Sequence, residues 1–78
     1  MNMKYCTSDF PTATVLYTLG FKLSHFDRTN PERIEFCFER NEYLDKTIEC
    51  WWRGELKIEP QSLFSSQKVL KSRIHSEK

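Results

Sequence analysis

Apolar residues recur along this chain with two different periods, and the changes of period mark its elements. Residues 3–6 read as a short strand or extended lead-in. Thr7-Ser8-Asp9 then offers side-chain oxygens suited to capping a helix. Pro11 falls in the first turn, where its missing N–H costs little. Phe10, Ala13, Leu16, Tyr17 and Gly20 share one helical face at about 100° per residue, while Val15 and Leu19 lie on another. Gly20 is placed to end this helix with positive φ.

The period then shortens to two. Residues 21–28 alternate imperfectly, with Leu23 and Phe26 apolar among polar neighbours, which predicts a bulge or an edge position. Asp27-Arg28-Thr29-Asn30-Pro31-Glu32 has turn chemistry. After it, RIEFCFER is the clearest strand. Ile34, Phe36 and Phe38 lie on one face and Glu35, Cys37 and Glu39 on the other, the latter mostly wet. Charges alternating with the rings also discourage sheet-edge aggregation. The two runs predict an antiparallel hairpin whose connection is longer than a two-residue turn.

A helical period returns at residue 42. Asn41 is a cap, residues 42–52 form the helix, and Gly54 stops it. Leu44, Ile48 and Trp51 share a face; Trp52 is turned about 100° from Trp51 and falls on its border. Residues 55–59 alternate apolar and charged, a candidate for a short extended piece. Pro60 then opens a last helix over residues 60–75, with Leu63, Gln67, Leu70 and Ile74 toward the core. On one flank of that helix, within about 80°, fall Phe64, Lys68, Lys71, His75 and Lys78. Arg73 lies on the opposite side of the core stripe, and the last few residues read as frayed. The whole predicts an α+β single domain spanning residues 1–78, in the order β-α-β-β-α-α, with a small antiparallel sheet of two or three strands packed by helices on one face.

Size and charge sharpen this picture. A chain of 78 residues buries only roughly 60% of its unfolded surface, too little for two cores. With 38% hydrophobic and 14% aromatic residues it lies above the disordered regime. The net charge of +1 argues against a generic nucleic-acid binder, but its distribution is uneven. Lys68, Lys71, Arg73 and Lys78 against Glu77 make the last 19 residues +3, which leaves −2 for the first 59. Cys6, Cys37 and Cys50 include no close pair. They read as buried reduced thiols of a cytoplasmic protein, with neither a disulfide framework nor a zinc site. No run approaches the roughly 18 apolar residues of a membrane span.

Taken in order, these pieces resemble a small family of domains of unknown function associated with bacterial and phage genomes. The matching marks are YCTSD leading a helix that ends in Gly20, Leu23 with Asp27 in the second strand, and the FCF strand. Further on come an aromatic pair followed by RGELKIEP, then LF and KVLKSRI. The likeness runs from Tyr5 to Ile74. Thr12 and Thr14 make the first helix more polar than the pattern, and Arg53 stands where a small polar residue is usual. The resemblance implies the architecture and a bacterial or phage setting, and supplies no catalytic residue.

Nor do the residues themselves propose a reaction. His25 and His75 have no cysteine or carboxylate neighbours at ligand spacing, and Gly20 and Gly54 read as helix stops rather than a phosphate loop. No catalytic residue, cofactor, metal or membrane partner is expected. The expectation is a small non-enzymatic binding or accessory module of a phage, mobile element or bacterium, acting in the cytoplasm of the cell or infected host. Two classes of partner fit. Lys68, Lys71, His75 and Lys78, with Phe64, Trp52 and Arg53, suit the phosphates and bases of nucleic acid. Alternatively, an apolar patch of Val15, Leu19 and Trp52 docks on a host or phage protein, as an interaction or inhibitor module, or on a second copy of the chain.

Overall fold

The computed structural model describes residues 3–30 and 32–76. The order is β1 (Lys4–Thr7), α1 (Phe10–Thr18), β2 (Leu23–Asn30), β3 (Arg33–Glu39), α2 (Glu42–Trp52) and α3 (Pro60–Ser76), the predicted β-α-β-β-α-α. The lead-in does join the sheet. β1 and β2 both pair antiparallel with β3, so the most alternating segment is the central strand of the order β1-β3-β2. Residues 55–58 add no strand.

Periodicity two on β3 decides where the core lies. Phe36 and Phe38 point to one face and gather Leu23 from β2, Ala13 and Leu16 from α1, Leu44 and Ile48 from α2 and Leu70 from α3. All three helices therefore cover the same face, and the molecule is two layers thick, with extents of 34 × 34 × 19 Å. Phe36 meets Phe10 and Phe26 with ring centroids 5.9 and 5.6 Å apart, in the tilted and edge-on arrangements aromatic pairs prefer.

Local chemistry sets the helix ends. The Asp9 carboxylate accepts from Thr12 N and Thr12 Oγ1, and Asn41 Oδ1 accepts from Leu44 N at 2.8 Å. Glu59 accepts from Gln61 N, Ser62 N and Ser62 Oγ, starting α3. At the other ends Gly20 and Gly54 have φ of 92° and 73°. Paired bonds Gly20 N to Tyr17 O and Phe21 N to Leu16 O close α1, and Gly54 N to Trp51 O and Glu55 N to Cys50 O close α2.

Four expectations need correction. Asn30 pairs with Arg33, so the hairpin connection spans only positions 31 and 32. The polar run from Asp27 to Asn30 is strand, with a register shift between Asp27 and Asn30. Residue 31, part of the predicted turn, lies outside the described residues, as do residues 77 and 78, where fraying was expected. Second, Val15 is 1% exposed and cannot dock on a partner. α1 packs against α2, α3 and β1, so Thr12 to Leu16 are buried without interruption and no second face remains on that stretch. Third, α3 buries Ser66 and Leu70, whereas Leu63, Gln67 and Ile74 are only half-buried. Fourth, Cys6 and Cys37, placed directly opposite each other by the β1/β3 register, form a disulfide; Cys50 is free. Cys6 is exposed, while Cys37, expected on the wet face, is buried.

Candidate functional site

α3 has one solvent-facing stripe whose residue types suit an anionic chain. Core contact through Ser66, Leu70 and half-buried Ile74 fixes the helix's rotation, and the residues about 120° away are turned to water. Phe64, Lys68, Lys71 and His75, at steps of four, three and four, are all exposed and lie one above the next. Phe64 leaves 58% of its surface in solvent. Lys78, the next step of the stripe, lies outside the described residues.

Lys68 and Lys71 have no carboxylate partner among the described residues. Lys71 Nζ instead sits 5.8 Å from the centroid of the Phe10 ring, a cation–π contact that leaves its charge in place. The other flank of α3 is built differently. Arg73 and Arg28 stand 5.6 and 5.7 Å from the Phe26 ring, and Arg28 Nη2 donates to Ile74 O at 2.7 Å. Arg28 was not singled out by sequence. Nothing local marks it, because its role arises from β2 meeting a helix 46 positions later.

The aromatic pair at the end of α2 divides as helical geometry requires. Trp51 is half-buried, on the same helical face as Leu44 and Ile48 by spacing, and its indole N–H donates to Thr12 Oγ1 at 3.2 Å. Thr12, an apparent polar intrusion in α1, is thus the acceptor that docks α2. Trp52 is 71% exposed. It does not extend the α3 stripe, since α2 and α3 pack on α1 and touch each other little. Arg53, beside it, is engaged by Glu49 at 3.0 Å and Glu55 at 3.8 Å, so its charge is already answered. Of the apolar patch, Leu19 remains 42% exposed.

Elsewhere the surface offers an open depression at the β2–β3 end, lined by Asp27, Thr29, Asn30, Arg33 and Glu35. Hydrogen bonds from the Thr29 hydroxyl and backbone N–H hold the Asp27 carboxyl below its ordinary range. Burial pushes the Tyr5 phenol up. Among the described residues no three of His, Cys, Asp and Glu gather to hold a metal, and no helix is long and apolar enough to cross a membrane.

Comparison with curated proteins and with solved structures finds no match. The expected membership in a family of domains of unknown function is borne out by a family model that covers residues 2–76: the chain belongs to the family described as Domain of unknown function (DUF5659).

Proposed function

We propose that this protein is a small non-enzymatic module that binds single-stranded nucleic acid along the outer stripe of α3, in the cytoplasm of a bacterial cell or phage-infected host. The observation that carries the reading is the continuity of an exposed ring with two lysines that have no carboxylate partner among the described residues, and with an imidazole beyond them: Phe64, Lys68, Lys71 and His75 on one helical face. A phosphate chain following the helix meets Lys68 and Lys71, and a base turned toward the helix stacks on Phe64. Single strands are favoured over duplex because only an unpaired base offers its face. Trp52 and Arg53 are secondary, the first by its place on another helix and the second by its carboxylate neighbours.

Fluorescence anisotropy with labelled single-stranded and duplex DNA and RNA, from low to physiological salt, tests this. Binding to single strands is expected to weaken with salt, at a slope of log K on log salt of about −1.4 for two phosphate contacts at about 0.7 each. Lys68→Glu with Lys71→Glu is expected to abolish it. No salt-dependent binding, or an unchanged affinity in the double variant, sinks the reading. The protein-docking alternative keeps Leu19 and Trp52 as exposed apolar groups but has lost Val15. A protein captured through Trp52, with no nucleic-acid binding, would favour it.

A further inference from the structure

The face of the sheet turned away from the helices carries a second constellation, independent of the α3 stripe. Cys6 and Cys37 are directly opposed on β1 and β3, with Cα atoms 4.1 Å apart, and are joined by a disulfide. On its other side Cys37 pairs with His25 of β2, and opposed residues share a face with Cβ atoms about 5 Å apart. Lys4, two positions before Cys6 and so on the same face, reaches across β3 to donate from Nζ to Ser24 Oγ at 2.8 Å. Ser24 Oγ in turn lies 3.1 Å from His25 Nδ1. The two sulfurs also differ in access, since Cys6 is exposed and Cys37 is 1% exposed.

We propose that Cys6–Cys37 is a reversible thiol–disulfide exchange site for a dithiol reductant, in which Cys6 is the sulfur attacked and Cys37 the sulfur that leaves. The assignment follows from access and from charge. An incoming thiolate reaches Cys6 from solvent and bonds to its Sγ. The Cys6–Cys37 bond then breaks with its electron pair passing to Cys37 Sγ, on the face that holds the Lys4 ammonium and the His25 imidazole. The reductant's second thiolate attacks its own sulfur in the mixed disulfide, closes the reductant's disulfide and releases Cys6 as a thiolate. In all, two electrons and two protons pass from the dithiol to the cysteine pair, and an oxidised dithiol reverses the step. Glu35 and Glu39, two positions either side of Cys37, oppose an anion there. Glu39 stands opposite Lys4 on β1 and is engaged by Lys22 at 3.6 Å, whereas Glu35 faces a second carboxylate, Asp27, further along the strand and away from the disulfide. What the exchange controls is one part of the hold on β1, a four-residue edge strand also kept by its ladder to β3, by the Lys4–Ser24 bond and by Tyr5 against the core.

The folded protein, equilibrated in reduced and oxidised dithiothreitol at neutral pH, is acid-quenched, alkylated under denaturing conditions and weighed. The expected result is a reversible step from one alkylated thiol, Cys50, to three, at unchanged circular dichroism. Lys4→Met with His25→Gln is expected to slow reduction severalfold, because losing the ammonium and the imidazole makes Cys37 a poorer leaving thiolate. Three thiols persisting in oxidised dithiothreitol, or a link that yields only when the chain unfolds, overturns the proposal. An unchanged rate in the variant overturns the assignment of Cys37 as the leaving sulfur. The thiol count on the unaltered protein stands whether or not the variants fold.

Discussion

Trp51 and Trp52 are adjacent in the chain, and about 100° of helix rotation gives them different work. Trp51 is half-buried, with an acceptor in Thr12, on the helical face that carries Leu44 and Ile48; Trp52 has water. Trp51→Ala is therefore expected to cost about 2–3 kcal/mol in urea unfolding, part of what a fully buried ring loses. Trp52→Ala should stay within about 0.5 kcal/mol, as surface changes do. Equal costs for the two would show that the helix is rotated from the position described. Phe64, exposed like Trp52, calls for a different measurement. Phe64→Ala should leave unfolding unchanged and weaken single-strand binding by about 1–3 kcal/mol, the worth of one stacked base. The split of the tryptophans was legible in the sequence because spacing alone determines it. The partner of Trp51 was not, since Thr12 lies 39 positions away on a helix whose polarity looked like a defect.

Helix boundaries were legible because their causes are local. Asn41, Pro60, Gly20 and Gly54 each act within one turn, so α2 runs over the predicted residues and α3 ends within one residue of expectation. The hairpin was misread for a reason of the same scale. Asp27 and Asn30 do make turn-like bonds, Asp27 Oδ1 accepting from Thr29 N and Asn30 Oδ1 from Glu32 N, but on an edge strand such polar residues face water without ending the ladder. Gly54→Ala tests the helix stop. No atom lies within 4 Å of the added Cβ, so the whole cost is the left-handed backbone, about 1 kcal/mol. The cap of α3 gives a pH dependence. Hydrogen bonds from the Ser62 hydroxyl and backbone N–H, with a further one from Gln61 N, hold the Glu59 carboxyl below its ordinary value of 4.5. A group depressed on folding stabilises above its unfolded pKa, and that contribution is lost as pH falls through the folded value. The gap in unfolding midpoint between the wild type and Glu59→Ala is therefore expected to be fully present at neutral pH and to close on acidification below 4.5. A gap independent of pH would mean that the carboxylate is not the cap.

At the scale of the molecule, what could not be read from the sequence was whatever depends on which element lies beside which. Val15 is buried because α1 sits among its neighbours, Cys6 meets Cys37 because β1 joins β3, and Arg28 meets Ile74 because α3 returns to β2. The α3 stripe was visible in advance because one helix carries all of it, yet its presentation rests on long-range contacts. α3 has a single fully buried large side chain, Leu70. Leu70→Ala is expected to remove about 2–5 kcal/mol. Against the roughly 4–12 kcal/mol that a 78-residue domain commands, that is a large share. Because the loss falls where α3 joins the core, hydrogen exchange in α3 should quicken more than in β3. Single-strand binding should weaken along with it, although no contact residue has changed. Lys68→Glu with Lys71→Glu should do the reverse, abolishing binding while leaving unfolding and exchange as they were. If Leu70→Ala loosened α3 and affinity did not fall, the strand would be meeting some other part of the surface, and the stripe would be an ordinary wet helix face.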